Sequence, residues 1–232
     1  PYASQLFGDT AQQTYEKARA VAADGYRASK FGWSNFGLGT PKQDADHLMA
    51  AREGLGKDGI LLVDAGCVFD DDVERAAKRL PALKAARATW YEEPLDRDAL
   101  GAYKALSKRT PKVALAGGEG CYTFQMAKQM MDLAGVGFIQ IDAGRIGGIT
   151  PAKQAADYAK AKGVTFVNHT FTSHLQLSAS LQPYAGLREH EICEYPVELK
   201  AVAKAITRNT VARDKNGQVS APDAPGLGIE ID

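Results

Sequence analysis

The strongest constraint on the fold is a regular alternation of short apolar runs with longer, helix-sized segments. The apolar runs have the aliphatic and aromatic composition of β-strands, and helix-sized segments separate them. This order favours right-handed βαβ crossovers and a parallel sheet. Eight strand candidates in 232 residues predict an α/β fold, a closed (β/α)₈ TIM-type barrel. The candidates are Tyr2–Phe7, Tyr26–Trp33, Gly59–Asp64, Ala88–Glu92, Lys112–Glu119, Gly137–Asp142, Val164–His169 and Glu191–Tyr195.

The intervening segments have helical spacing of apolar residues or helix-capping signals. Thr10 is a candidate N-cap, and Pro81 is expected to kink or end the third helix. An open, doubly wound sheet is disfavoured, because the early GxGxxG phosphate turn that it needs is absent from the sequence. The helix candidates are Thr10–Asp24, Pro41–Leu55, Asp70–Ala86, Asp98–Ser107, Thr123–Leu133, Pro151–Lys162 and His174–Leu187.

The composition is that of an ordinary globular protein, with 45% hydrophobic and 24% charged residues and a formal net charge of zero. Balanced charge gives no reason to expect nucleic acid or a membrane surface as a partner. Three scattered cysteines suggest reduced thiols and a cytoplasmic setting. The strand–helix pattern ends near residue 206, so residues 1–206 are expected to form the barrel and residues 207–232 a tail that packs on something else.

Acidic residues and one histidine recur where the strand candidates end, at intervals of about one strand–helix unit. Because the carboxyl ends of barrel strands meet at one rim, where barrel enzymes place their chemistry, we expect all six side chains to lie there. These residues are Asp64, Glu92, Glu119, Asp142, His169 and Glu194.

Three consecutive strand candidates end in the carboxylates Asp64, Glu92 and Glu119. Any one of them alone would be read as a solvated turn residue. Three that converge on a partly buried rim would repel one another unless a cation compensates their charge. Oxygen ligands without Cys or His favour a hard divalent cation with open coordination positions, and Mg²⁺ fits best.

The next two strand candidates end in Asp142 and His169. A histidine titrates near neutral pH and can act as a general base, and a neighbouring carboxylate can fix its tautomer and stabilise the imidazolium. His174 is a rival, but it is expected to begin the following helix, so His169 is preferred.

The motifs LLVDAG, WYEEP, LAGGE, QIDAGRIGG and VNHTF, with the terminal PGLGIEID, resemble the mandelate racemase subgroup of the enolase superfamily along nearly the whole chain. The resemblance implies that Asp64, Glu92 and Glu119 bind Mg²⁺, one ion per barrel, with Glu93 as a neighbour of the ligands. It also implies that Asp142 and His169 form a general-base dyad. The resemblance further implies a homo-oligomer and an N-terminal α+β capping domain, absent from this chain, on which the tail would pack.

Glu194 corresponds to a family glutamate that hydrogen-bonds the enolate side of the substrate. Many members carry Lys-x-Lys on the second strand, whereas this chain has Lys30 followed by Gly32. Lys30 is expected to neutralise the substrate carboxylate or enediolate, and the lost second lysine disfavours two-base racemisation. Gly66 replaces a residue that serves some relatives as an acid, so the group that protonates a leaving hydroxyl stays open. Trp33 is a candidate pocket wall or core residue.

The sequence thus predicts a Mg²⁺-dependent lyase that removes the proton α to a carboxylate and eliminates a β-hydroxyl from a sugar acid. The product would be a 2-keto-3-deoxy acid. Two alternatives stay open: a cycloisomerase or epimerase of a sugar acid or its lactone, and a non-catalytic relative that binds sugar acids.

Overall fold

Eight parallel strands form a nearly closed barrel in the computed structural model, which describes residues 1–187 and 192–232. Neighbouring strands pair in chain order from β1 to β7, and β8 pairs with the free side of β1. The (β/α)₈ prediction is therefore confirmed. The strands are β1 Tyr2–Leu6, β2 Ala28–Gly32, β3 Ile60–Asp64, β4 Ala88–Glu92, β5 Ala114–Gly117, β6 Phe138–Asp142, β7 Thr165–His169 and β8 Glu194–Pro196.

A side chain connects β7 and β8, the two strands at which the barrel closes. Asn168 on β7 accepts a hydrogen bond from the Glu194 amide at 2.7 Å, and its side-chain amide donates to the Glu194 carbonyl at 3.4 Å. Glu194 is the first residue of β8, whereas the prediction placed the strand at Glu191–Tyr195 with Glu194 at its end. Glu191 lies outside the described residues.

Helices cover the outside of the barrel, and local capping explains several of their boundaries. Thr10 caps helix α1 (Ala11–Ala23), as predicted. Thr40 caps helix α2 (Pro41–Leu55): its hydroxyl accepts from the Gln43 amide, and its own amide donates to the Gln43 side chain. The single helix predicted over Asp70–Ala86 is divided into α3 (Val73–Ala77) and α4 (Leu80–Ala85). The helix is interrupted at residues 78–79, and Pro81 lies in the first turn of α4. The helices are α1 Ala11–Ala23, α2 Pro41–Leu55, α3 Val73–Ala77, α4 Leu80–Ala85, α5 Leu100–Ser107, α6 Phe124–Gln129, α7 Ile149–Lys162, α8 His174–Leu181 and α9 Ala201–Ala205.

Strand residues alternate between an outer and an inner apolar layer. Leu61 and Val63 join the large cluster under the helices, whereas Leu62 between them joins a small cluster inside the barrel. Tyr2 and Trp90 meet edge to face in that interior, with ring centroids 5.5 Å apart. Because strand side chains repeat every second residue, the residue two places after each interior apolar residue also points inward, one layer nearer the rim.

The tail lies on the outside of the barrel in this chain. Val211 is buried against Leu177 and Leu181 of α8, and its amide donates to His174 Nδ1 at 3.2 Å. An isolated antiparallel bridge joins Thr207 to Ile231. The domain boundary at residue 206 and a contact between tail and capping domain stay predictions.

Within residues 1–187 and 192–232, no helix has the length and apolar character needed to span a membrane. The three cysteines are free thiols. The cytoplasmic location and the homo-oligomer stay predictions.

Candidate active site

The rim residues that end strands lie where the sequence predicted. Asp64, Glu92, Asp142 and His169 are the last residues of β3, β4, β6 and β7. All four are buried. Asp64, Glu92 and His169 follow the interior apolar residues Leu62, Trp90 and Val167 by two places. The Trp90 indole N–H donates to Glu92 Oε2 at 3.0 Å. The two-residue repeat of the strands therefore places these candidate site residues directly above the apolar interior.

Glu119 reaches the same region by a different route. The strand predicted to end at Glu119 ends at Gly117, because the chain turns at Gly118, whose φ is 120°. Only glycine adopts such a backbone angle readily. The turn nevertheless brings the carboxylate back to the rim, where Glu119 Oε2 lies 3.1 Å from His169 Nε2.

Asp64, Glu92 and Glu119 form a compact carboxylate cluster. One oxygen from each lies within 4.8 Å of the others. Burial raises the pKa of Asp64 to about 6, although Lys30 opposes the shift, and burial also raises the pKa of Glu92. For Glu119, burial acts in the same direction, but His169, Lys30 and Arg145 outweigh it and lower the pKa.

The donor set fits a divalent hard cation. It consists of three oxygen ligands from three different strands or strand ends, without nitrogen or sulfur, which matches the preference of Mg²⁺. Burying such a set costs free energy unless a positive charge compensates it. The raised pKa of Asp64 and of Glu92 reflects that cost.

Lys30 lies deep in the barrel below this cluster. Its Nζ is 2.7 Å from Glu92 Oε1, 2.9 Å from Glu194 Oε1 and 3.7 Å from Asp64 Oδ2. Burial favours the neutral amine, but Glu194 and Glu92 outweigh it and raise the pKa, so the side chain is an ammonium. Lys30 also lines the cavity at the rim.

Glu194 faces the interior although it begins its strand. Its Oε2 accepts a hydrogen bond from the Thr170 amide at 2.6 Å, and its Oε1 faces Lys30. Strand β8 pairs Glu194 with Tyr2, the first residue of β1. The structure thus brings Glu194 to the site by register and not as a strand end.

Asp142 and His169 are in direct contact. His169 Nδ1 lies 2.7 Å from Asp142 Oδ2. Burial disfavours the imidazolium, but Glu119, Glu194 and Asp142 outweigh it and raise the pKa of His169 to about 9. The backbone amides of Gly144 and Arg145 also donate to Asp142 Oδ1, which fixes the carboxylate.

His174 lies away from this site. It begins α8, as predicted, and its Nδ1 accepts the bond from Val211 on the outside of the barrel. Burial lowers its pKa. His174 therefore belongs to the packing of the tail.

A cavity of about 760 Å³ opens above the rim. Sequence reasoning had assigned no role to two side chains in its wall. Arg145 donates to Glu119 Oε1 at 2.7 Å, and Gln176 donates to Asp142 Oδ2 at 2.6 Å. Arg145 lies three residues after Asp142, in the sequence GRIGG, and Gln176 lies seven residues after His169, in the first turn of α8. This short distance along the chain from the dyad was the only sequence signal that could have indicated a role for them.

Glu93 is a buried neighbour of the carboxylate cluster, as the sequence suggested. Its polar contacts are long ones, from Cys67 Sγ at 3.5 Å and the Gly118 amide at 3.4 Å. Burial, with Glu119 and Asp64 nearby, raises its pKa to about 7. This residue adds negative charge beside the cluster once it ionises.

Two glycines lie at the ends of β2 and β3: Gly32, which lines the cavity, and Gly66, which packs against Trp33. A Cβ on Gly32 would lie 2.9 Å from both the Cβ and Oδ2 of Asp64. A Cβ on Gly66 would lie 2.8 Å from Trp33 Cε2. A side chain at either position would have to displace the side chain of Asp64 or Trp33.

The chain matches the family model for the enolase C-terminal domain-like family over residues 13–232. It is 29% identical over 217 residues to the D-galactarolactone cycloisomerase of Agrobacterium fabrum, covering 90% of this chain and 55% of that protein. It is 28% identical over 195 residues to the arabinonate dehydratase of Saccharolobus solfataricus, covering 84% and 51%. The chain thus spans about half the length of these curated relatives.

A crystal structure of a predicted mandelate racemase from Rhodobacter sphaeroides superposes with a TM-score of 0.93 and 56% identity, covering 100% of this chain and 59% of that one. The 3,6-anhydro-D-galactonate cycloisomerase from Zobellia galactanivorans superposes with a TM-score of 0.89 and 27% identity, covering 100% and 63%. With the barrel, its carboxylate rim and these matches, the chain belongs to the enolase superfamily, in the mandelate racemase and muconate lactonizing enzyme subgroup.

Proposed function

We propose that this chain is the catalytic barrel of a Mg²⁺-dependent hydro-lyase that dehydrates a sugar acid to a 2-keto-3-deoxy acid. One observation carries the proposal: the Asp142–His169 pair and the three-carboxylate cluster meet at one rim, with His169 Nε2 3.1 Å from Glu119. A general base beside an oxygen-ligand cation site suits removal of a proton α to a carboxylate.

Asp64, Glu92 and Glu119 would hold the cation, which when bound neutralises charge on the substrate carboxylate as the α-proton leaves. In its neutral form, His169 would donate its Nδ1–H to Asp142, which leaves Nε2 with the lone pair that accepts the α-proton. A cation held by Glu119 would offset the carboxylate charge that raises the pKa of His169 and would so favour this neutral form. Asp142 holds the ring in this orientation and stabilises the imidazolium that forms.

Lys30 and Glu194 provide polar groups below the reacting centre. The Lys30 ammonium stabilises negative charge on the oxygens of the enediolate. Glu194 accepts a hydrogen bond from a protonated enediolate oxygen or from a hydroxyl group of the substrate. The C–O bond to the β-carbon then breaks, and His169 returns its proton to the leaving hydroxyl, which departs as water. The resulting enol tautomerises to the 2-keto acid.

A cycloisomerase is the second candidate, because two of the similar proteins above are named as cycloisomerases. The same base would remove the same proton. Epimerisation needs a second base on the other face of the substrate, and Gly32 has no side chain to supply one. A non-catalytic relative that binds sugar acids is the third alternative.

The test uses the full protein with Mg²⁺ and a panel of five- and six-carbon aldonic and aldaric acids. A 2-keto acid colour assay detects dehydration, and NMR detects substrate loss without a keto product. A keto product supports the dehydratase, consumption without it supports the cycloisomerase, and no consumption by the metal-loaded protein supports the non-catalytic alternative.

Two histidine variants assign the base. We expect His169→Asn to lower kcat by about 10²–10⁴-fold, since a positioned base contributes that much and the asparagine accepts no proton. Mg²⁺ binding, measured by calorimetry, should persist. His174→Asn, with its fold checked by circular dichroism, is the matched control and should keep its activity. Near-normal turnover by His169→Asn would refute the assignment.

A further inference from the structure

Trp33 has an unusual backbone conformation at the mouth of the cavity. It follows the last residue of β2, and its φ of 55° and that of Ser34, 57°, lie in the left-handed region. A bulky residue adopts this region rarely, and such outliers concentrate at functional sites. The Trp33 amide donates to the Asp64 carbonyl at 3.3 Å, and its carbonyl accepts from the Phe36 amide at 3.2 Å. The turn is therefore held from both sides.

The indole rests on a position where no side chain fits. Trp33 Cε2 and Cδ2 would lie 2.8 and 2.9 Å from a Cβ on Gly66. The backbone at Gly66 therefore supports one part of the ring system. The side chain is nonetheless 55% exposed and lines the cavity together with Asp64, Asp142 and His169.

This combination differs from that of a core residue. The other tryptophan, Trp90, is fully buried in the barrel interior, whereas Trp33 offers apolar surface among charged side chains. The C–H bonds of a hydroxylated carbon chain are polarised towards positive charge, and the face of an aromatic ring is negative. An indole beside a cation site therefore suits a ligand with a carboxylate at one end and a hydroxylated carbon chain at the other.

We infer that Trp33 is a specificity-determining residue whose ring packs against the C–H face of the substrate carbon chain. This inference rests on the proposed function, because the carboxylate cluster and His169 fix the reacting end of the same ligand. Trp33 would then select acids with a chain beyond the α-carbon over two-carbon acids such as glycolate, which share the carboxylate and α-hydroxyl but have no chain to pack.

The test compares Trp33→Ala, Trp33→Phe and Leu38→Ala in the full protein with Mg²⁺. Leu38 is a matched control because it is 69% exposed on the same loop and is absent from the cavity wall. Each variant is made in the His169→Asn background, which prevents turnover, and calorimetry measures its affinity for the panel acids and for glycolate. Thermal unfolding checks that each variant is folded.

We expect Trp33→Ala to bind the preferred sugar acid about five- to tenfold more weakly, Trp33→Phe to bind it with intermediate affinity, and Leu38→Ala to bind it like the parent. Glycolate affinity should be the same in all four proteins. Equal sugar-acid affinity in Trp33→Ala and the parent would overturn the inference and leave the proposed function intact. If the His169→Asn parent binds no panel acid and the protein with His169 intact consumes none, both the inference and the proposed function are overturned.

Tryptophan fluorescence provides an independent readout, since the chain has two tryptophans and Trp90 is buried. The part of the emission that Trp33→Phe removes should be quenched by acrylamide in the ligand-free protein and protected by the sugar acid. If this emission is already shielded without ligand and does not respond to it, protein covers the ring and the inference is wrong.

Discussion

Two buried ionic clusters in this molecule differ in charge balance: one has equal numbers of positive and negative groups, and the other has an excess of carboxylates. In the outer shell, Arg79 and Asp44 form a pair with Nε and Oδ2 2.7 Å apart. The remaining guanidinium nitrogens donate to the carbonyls of Arg75 and Gly39, and Asp44 also accepts the Gly37 amide. One positive charge therefore meets one negative charge, and each has further hydrogen-bond partners.

At the rim, by contrast, the Lys30 ammonium lies within 4 Å of three carboxylates, those of Asp64, Glu92 and Glu194. Glu119 adds a further carboxylate, which Arg145 and His169 contact. A buried pair with matched charges holds neighbouring elements together, whereas a buried excess of carboxylates costs stability until a cation arrives. The balanced pair is therefore expected to stabilise the fold, whereas the rim cluster could hold a cation, as proposed above.

The largest expected effect on folding comes from breaking the balanced pair. We expect Arg79→Ala to lower the free energy of unfolding by about 3–5 kcal/mol, because it leaves the Asp44 carboxylate buried without its partner. Denaturant unfolding measures the change. The double variant Arg79→Met/Asp44→Leu should recover much of the loss, and a single variant as stable as the parent would contradict the structural role.

The second prediction concerns the rim, where added cation should stabilise the protein. At Mg²⁺ near 100 times its Kd, we expect the free energy of unfolding to rise by about 2.7 kcal/mol, since only the folded state presents the three ligands. Glu119→Gln should reduce this gain, and Asp46→Asn, on the exposed side of α2, should not change it. An equal gain in Glu119→Gln would remove Glu119 from the ligand set.

The third prediction uses pH to expose the charge excess. The folded pKa of Glu93 is about 7 and that of Asp64 about 6, both above their unfolded values. Their contribution to stability is therefore fully present below about pH 4 and is lost as pH rises through 6 to 7. His169, with a folded pKa of about 9, acts in the same direction at higher pH, because the stability from its protonation is lost as pH rises from about 6.5 through 9.

We accordingly expect the Tm of the protein in EDTA to fall as the pH rises from 5 to 8, because these groups lose their protons. Glu93→Gln should raise the Tm at pH 8, where the parent carboxylate is charged, and change it little at pH 5. The same Tm difference at both pH values would show that the carboxylate charge is not the cause.

The smallest effect is expected at an exposed pair on the same helix as Asp44. Lys42 and Asp46 lie 2.8 Å apart at the surface of α2. Because solvent screens both charges, Lys42→Ala should change the free energy of unfolding by no more than about 0.5 kcal/mol. A loss close to that of Arg79→Ala would mean that burial does not explain the difference between ion pairs in this protein.

Much of the fold was predictable because its signals are local. The period of two along each strand places Asp64, Glu92 and His169 on the same face as Leu62, Trp90 and Val167, and the structure shows that this face is the interior. The regular spacing of strand–helix units then brings these ends to one rim. The Asp142–His169 pair was predicted from adjacent strands in the same way, and the two side chains are in contact in the structure.

Other parts of the site depend on contacts that no local pattern contains. Glu119 lies two residues beyond its strand, and Glu194 begins its own, so the rule of strand ends did not describe either one. Arg145 and Gln176 come from a loop and a helix, and their bonds to Glu119 and Asp142 depend on how those elements pack on the barrel.

By itself, the sequence determined the barrel and the rim positions of four site residues, because the strand–helix alternation and its spacing are local properties of the chain. The tertiary structure alone decided which charges face one another. Barrel closure places Lys30 of β2 against Glu92 of β4 and Glu194 of β8, and it turns Trp33 over Gly66. The balance of charge at the rim is a property of those long-range contacts, since each carboxylate acquires its partners only when the sheet closes.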